Sequence, residues 1–124
     1  GVPSAPPEGA SAPGRLAEEE VRRWLDDYAR AWSRKDVGTL QRMGQVRSTT
    51  EAERLERYFH SIDDLHVDVR VIALRVEGGQ AVVDFERTDT VTDPAGQRRQ
   101  LRLPPFHKEI ERTPGGLRFR GGEG

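Results

Sequence analysis

The alternation along Ala81–Arg120, AVVDFERTDTVTDPAGQRRQLRLPPFHKEIERTPGGLRFR, constrains this chain more than any other feature. Ala81, Val83, Phe85 and Val91 recur at even spacing, with the polar Arg87 and Asp89 interrupting the row. Leu101 and Leu103 resume it after a break, then Phe106, Lys108 and Ile110, and finally Leu117 and Phe119. Asp93-Pro94-Ala95-Gly96 and Thr113-Pro114-Gly115-Gly116 are turn signals that divide the stretch. A period of two broken by Pro/Gly turns predicts an antiparallel meander with one buried face. Such a face needs a cover, and the helical segments upstream are the candidates.

Arg15–Met43 reads as helix. Leu16, Val21, Trp24, Leu25, Tyr28, Ala31 and Trp32 form one apolar stripe at three- and four-residue spacings. Glu18, Glu19 and Glu20 sit early and Arg30, Arg34 and Lys35 late, matching the helix dipole. Asp36 is positioned to N-cap a short second helix, Val37–Met43, which turns Leu40 and Met43 inward and ends at Gly44. Ser48 with Glu51, or Thr50 with Glu53, fits a capping box opening a further helix. That helix carries Leu55, Phe59 and Ile62 on one face, with Tyr58 beside it, and stops near Asp63-Asp64.

The strands follow. In His66–Glu77 the apolar phase slips by one at Val71-Ile72, which reads as a bulge or as a strand buried on both sides over part of its length. Gly78-Gly79 makes a tight hairpin to Ala81–Thr92. Gln97–Arg112 reads as one strand in which Pro104-Pro105 removes two donors, so its ladder is locally broken or lies at an edge. Leu117–Arg120 closes the set. Three helices and four strands, with bulges in the first and third strands, predict an α+β fold in which a strongly curved antiparallel sheet wraps a long helix as a cone. Left unfilled by side chains, such a cone holds a pocket.

Composition bounds the partners. At 124 residues the chain is expected to hold one domain, residues 15–120. Gly1–Gly14 has four of the eight prolines and three glycines with one charge, and is expected to be a flexible linker to an upstream region; residues 121–124 are expected to be a frayed tail. The 20 Lys and Arg against 21 Asp and Glu leave a net charge of −1, which favours neither a nucleic-acid backbone nor an anionic membrane. No cysteine is present, which excludes disulfides, thiolate nucleophiles and cysteine-bearing metal sites. No apolar run approaches the roughly 20 residues of a membrane span. The compartment stays open, with the cytoplasm favoured, and Arg-rich, Lys-poor usage points to a bacterial, high-GC source.

Val21–Met43, VRRWLDDYARAWSRKDVGTLQRM, resembles the opening helix of the nuclear transport factor 2-like superfamily, which includes SnoaL-like and ketosteroid-isomerase-like proteins. Tyr28, Ala31-Trp32, Asp36 and Leu40 stand at the family's places, and Gly115-Gly116 before Leu117–Phe119 is similar to its closing strand, with Leu117 where Trp is usual. The resemblance spans roughly Leu16–Arg120 and implies the cone fold. It places Tyr28 where the steroid isomerases keep an oxyanion-hole tyrosine. It also implies a base after the short helix, where this chain has Gly44-Gln45-Val46-Arg47-Ser48 and no carboxylate, and a second acid on a late strand, unmatched among Leu103–Lys108.

Among individual residues, Asp89 is the only strand carboxylate sharing the inner parity, and Arg87 or Arg99 can neutralise it. His107 follows an irregular backbone that can re-aim a side chain toward a pocket. Tyr28, Asp89 and His107 are therefore the catalytic set if the cone is a small isomerase, hydrolase or dehydratase. His60, His66 and His107 make no HxxxH or HxH pair, so neither a metal nor a cofactor is expected. Trp24, Tyr28, Phe59, Phe85 and Phe106 are the candidate lining for a small apolar ligand. Thr88, Thr90, Arg98, Gln100 and Arg102 fall on the outer sheet face, through which many relatives pair. With Arg87 and Lys108 nearby, that face reads as a basic patch for a protein partner or a second copy. The reading as a whole is a non-catalytic ligand- or protein-binding, dimerising module of a larger bacterial protein.

Overall fold

The computed structural model describes residues 15–120; the expected linker 1–14 and tail 121–124 lie outside the described residues. The element order is α1 (Glu18–Ser33), α2 (Val37–Arg42), α3 (Thr49–His60), β1 (Asp64–Glu77), β2 (Gln80–Thr92), β3 (Arg98–Arg102), β4 (Phe106–Thr113) and β5 (Gly116–Phe119). The helices cover the concave face of one strongly curved antiparallel sheet.

The first helix begins three residues later than its stripe suggests. Ala17 is extended, and Leu16 spends its N–H on the carbonyl of Gly78 at 2.7 Å, so residues 15–17 run beside the β1–β2 turn instead of coiling. At its other end α1 stops in a Schellman motif, with Lys35 N–H on Trp32 O and Asp36 N–H on Ala31 O. Lys35 takes the left-handed position there, φ 60°, where glycine is usual. Its ammonium reaches the carbonyls of Ile62 and Asp63, at 3.3 and 3.1 Å, and so ties this elbow to the α3–β1 junction. Asp36 then caps α2 as expected, accepting from Thr39 N–H and Thr39 Oγ1. At α3, Ser48 Oγ accepts from Glu51 N–H, but the Glu51 carboxylate reaches one residue past the usual box to Arg47 N–H.

The strand order is β1-β2-β4-β5, with β3 also on β2. Register shifts between Val71 and Ala73, so the phase slip is a bulge; Ile72 is 50% exposed, which excludes burial on both sides. The expected single strand Gln97–Arg112 is two strands, giving five in all. Pro104 and Pro105 have no N–H to contribute, and pairing stops across them. Both pieces nevertheless hold the same side of β2: β3 runs along Thr88–Thr92 and β4 along Gln80–Phe85. Leu103 N–H still bonds Arg87 O at 3.0 Å, and pairing resumes with Phe106 opposite Phe85. The prolines thus bend one sheet without dividing it.

Ala81, Val83, Phe85 and Val91 of β2, with Leu65, Val67, Ile110, Leu117 and Phe119, make the buried sheet face. Val21, Leu25, Tyr28, Ala31 and Trp32 of α1 pack onto it, with Leu40, Met43, Val46 and Phe59 closing the side. Arg112 of β4 clamps the start of α1 through Glu20 at 2.5 Å. Gly44 ends α2 with φ 83° and lies so near β5 that an added Cβ would stand 2.9 Å from Phe119 O. Gly78 has φ 60° but open space around it. Both glycine-to-alanine changes incur the left-handed penalty of about 1–2 kcal/mol, and only Gly44→Ala adds a backbone clash. Gly44→Ala should therefore lower stability clearly more than Gly78→Ala in parallel urea titrations; equal losses would contradict this packing.

Candidate functional site

The interior of the cone centres on three side chains. Arg87 and Asp89 are both 5% exposed and lie two residues apart on β2, which puts them on the same, concave face. Arg87 donates from Nε to Asp89 Oδ1 at 2.7 Å and from Nη2 to Oδ2 at 2.8 Å, a bidentate pair. Its third corner, Nη1, donates to the Tyr28 hydroxyl at 3.0 Å. The guanidinium lies 4.0 Å from the Trp32 ring centroid, a cation–π contact. Tyr28 meets Phe85, Phe119 and Trp32 edge-on at 5.9, 5.3 and 6.4 Å. The Trp32 indole N–H is buried with no partner of hydrogen-bonding geometry among the described residues, although it stands close enough to Tyr28 to favour that phenol's ionised form.

The electrostatics follow from this packing. Burial pushes the Tyr28 hydroxyl above its ordinary value of 10.0, against the opposing pull of the Arg87 charge and hydrogen bond. For Arg87, burial works to lower the pKa, and the hydrogen bond to Asp89 together with the Tyr28 and Asp89 charges outweighs it; the net direction is upward, so Arg87 stays a cation. An oxyanion site needs a donor aimed at open space. Here the Tyr28 oxygen accepts from a guanidinium, each oxygen of Asp89 accepts from that same guanidinium, and both residues are buried.

Tyr28 and Asp89 are thus brought together, but through Arg87. His107 is not brought to them. Because pairing resumes with Phe106 facing Phe85 on the inside, His107 faces outward opposite Asp84, and its Nδ1 lies 2.5 Å from Asp84 Oδ1. Of the aromatic set, Tyr28, Phe59 and Phe85 are buried in the core; Trp24 and Phe106 are half-buried, Trp24 against Phe119 at 4.9 Å and Phe106 stacked on Phe85 at 5.1 Å. Large apolar side chains are left open at the rim: Tyr58 of α3 is 36% exposed, and Leu101, opposite Asp89 on β3, is 38% exposed. Burial and the Asp89 charge raise the Tyr58 pKa, against Arg87 and Arg99.

Open grooves lie outside the concave face. One of about 650 Å³ runs between Val37 and Gly38 of α2 and Glu56, Phe59 and His60 of α3. Another, of about 440 Å³, separates Ala29 and Ser33 of α1 from Val67 and Val69 of β1. Among the described residues no group of three or more His, Asp or Glu side chains could hold a metal ion, and no helix is long and apolar enough to cross a membrane.

The outer face keeps the expected residues together. Register aligns Thr88 with Arg102, Thr90 with Gln100 and Thr92 with Arg98. Arg87 and Lys108 do not join them. Arg87 faces the core, and Lys108, opposite the inward Val83, lies over the Phe106 and Phe119 rings at 5.9 and 5.6 Å. The expected basic patch is mixed in sign, with Asp64, Asp68, Asp84 and Glu86 in the adjoining positions. Arg87 as the buried partner of Tyr28 was readable only as one of two possible neutralisers of Asp89; its bond to Tyr28 spans 59 residues and leaves no local signal.

No family model and no curated protein matches the sequence. Solved structures do. A conserved protein from Planctomyces limnophilus matches with TM-score 0.70 at 12% identity, over 82% of this chain and 89% of its own. A nuclear transport factor 2-like superfamily protein from Salmonella enterica serovar Typhimurium matches with TM-score 0.64 at 14% identity, over 86% and 95%. A candidate dehydratase of the same family from Streptomyces avermitilis matches with TM-score 0.59 at 15% identity, over 82% and 89%. The chain has the nuclear transport factor 2-like fold. At these identities the likeness extends to the fold alone.

Two predictions come from the buried triad. Arg87→Met or Asp89→Leu alone leaves an uncompensated buried charge and should lower stability by about 3–5 kcal/mol. The double variant Arg87→Met/Asp89→Leu should cost less than either single change, as read from urea midpoints. The second concerns pH. The folded state holds the Tyr28 proton at a pH where the unfolded chain has lost it, so stability should fall as pH rises past 10.0. Tyr58 contributes with the same sign, so Tyr28→Phe should flatten this alkaline limb in part.

Proposed function

We propose that this domain is a non-catalytic protein-interaction module that works through the convex face of its sheet. One observation carries the reading: Arg87 engages the Tyr28 hydroxyl and both oxygens of Asp89 inside the cone, at 2.7–3.0 Å. The carboxylate that the concave face could offer as a base is thereby held in a structural ion pair, and the Tyr28 oxygen is tied to the same guanidinium. An apolar filling around them leaves that face little to do but hold the helices. Among the described residues no element covers the convex face. The linker-like composition of residues 1–14 and the Arg-over-Lys usage support a place within a larger bacterial protein.

A second reading, a small apolar ligand at the rim, is favoured by the exposure of Tyr58 and Leu101. The two readings separate by the fluorescence of Trp24 and Trp32. If the interior is structural, the hydrophobic dye anilinonaphthalene sulfonate should leave tryptophan emission of the folded full chain unchanged, and Arg87→Met should not create turnover of activated esters or of 3-keto steroids. Saturable, one-to-one quenching of tryptophan by the dye would move the function back to the cone, and turnover by the wild-type chain abolished in Tyr28→Phe would make it an enzyme.

A further inference from the structure

In the strand order β1-β2-β4-β5, with β3 also on β2, the first strand has a strand partner on one side only. Its free edge is not open along the whole length. Val67 N–H donates to Ser33 Oγ of α1 at 2.9 Å, and so points away from β2. Backbone groups alternate sides along a strand, so those of Val69 and Val71 point the same way. The Ser33 contact caps the edge before them, and the bulge at Ile72 interrupts it after them. Among the described residues no backbone group pairs with Val69 or Val71 on that side. The groove of about 440 Å³ runs beside this stretch, with Asp26, Ala29, Arg30 and Arg34 of α1 on one wall and Val67 and Val69 on the other. Ser33 meets Val67 and Leu16 meets Gly78, so α1 runs antiparallel to β1. Arg34 therefore stands at the Val67 end of the wall and Asp26 toward Val71, with Ala29 leaving space between them. Asp26 and Arg34 are exposed, and among the described residues they take part in no ion pair, whereas Arg30 is held by Asp27 at 2.7 Å.

Going beyond the convex-face reading, we infer that this edge takes an extended segment of a partner protein, added to β1 as a further strand and packed against the flank of α1. The free N–H and C=O of Val69 and Val71 bond its backbone whatever its sequence. The charges on the helix wall make the choice. Asp26 and Arg34 lie eight positions apart on one helix, a rise of about 12 Å. In an extended chain, residues four apart share a face and are separated by about 13 Å. The segment therefore carries a base and an acid four positions apart, the base against Asp26 and the acid against Arg34. A small apolar residue midway between them lies over Ala29. Antiparallel addition is the more stable pairing, and it runs the segment from the Asp26 end to the Arg34 end, so the base precedes the acid in its sequence. The same segment inverted would set its base on Arg34 and its acid on Asp26.

The test is fluorescence anisotropy of two labelled, end-blocked peptides, TKTVTET and its charge-exchanged form TETVTKT, titrated with the full chain. TKTVTET should bind at least about tenfold more tightly than TETVTKT, and the difference should shrink as salt is raised. The double variant Asp26→Lys/Arg34→Glu should reverse that preference. Both positions are exposed, so the exchange leaves the core intact, and a reversed preference could not come from an unfolded chain. Val69→Pro removes an N–H that faces no strand, a place where an edge strand accepts proline, and should abolish binding of both peptides. Equal binding of the two peptides, binding of neither, or a preference unchanged in the double variant overturns the inference. Self-association of the wild-type chain in sedimentation velocity that is lost in Val69→Pro also overturns it, by giving the edge to a second copy. Arg98→Glu/Arg102→Glu on the convex face should leave peptide binding unchanged, so failure of the convex-face reading and failure of this one are distinguishable.

Discussion

A guanidinium placed inside a small domain needs hydrogen-bond partners, and the arrangement around Arg87 engages all three of its nitrogens with groups from two elements. Asp89, on the same strand and the same face, meets its fork side by side. Tyr28 takes the remaining corner, and Trp32 lies flat against the ion. The first part is local, since residues two apart on a strand share a face whatever else happens. The second part is not. Tyr28 and Trp32 lie one turn apart on α1, so meeting the same cation sets both the rotation of that helix and its position along β2. Phe59 then packs edge-on to Trp32 at 5.7 Å and brings α3 into place. The polar centre of the core thereby specifies how the apolar parts dock, which purely greasy surfaces do less sharply.

β2 is the strand through which the sheet is read. Its inward residues carry the core and its outward residues the middle of the convex face. Both of its sides are occupied, by β1 along its whole length and by β3 and β4 in succession. The break at Pro104-Pro105 lets the second side curve away in two segments while Leu103 keeps one bond across the gap. With the bulge at Ile72 on the first side, the curvature comes from irregularities on both neighbours of an otherwise regular strand. A sheet bent this way fills its concave side with helix, and among the described residues nothing covers its convex side.

Much of this was legible in the residues. The hairpin at Gly78-Gly79, the Asp36 cap, the bulge at Val71-Ile72 and the outward grouping of Thr88, Thr90, Arg98, Gln100 and Arg102 follow from period, turn chemistry and parity. The strand boundary at Pro104-Pro105 was read as a flaw in one strand, because local chemistry says that a ladder stops there and not where it resumes. The same misplacement affects His107: one residue of uncertainty at a proline pair decides which face a side chain takes. Arg87 and Lys108 stand at inward positions of the alternation yet were counted near the outer basic patch; charged residues are mostly solvated, a rule that fails where a carboxylate or aromatic rings wait on the inner face.

By itself the sequence determined the elements and their faces, since helix stripes, strand alternation and caps depend on neighbours within a few positions. It also determined that Arg87 and Asp89 would stand side by side. Only the tertiary structure decided that they are buried, that Tyr28 bonds the same guanidinium, that β3 and β4 share one side of β2, and that Thr88, Thr90 and Thr92 align with Arg102, Gln100 and Arg98 on the convex face. Each of these depends on which distant segment lies opposite, and strand register and helix docking are settled by the packing of the whole core, not by any window of the chain.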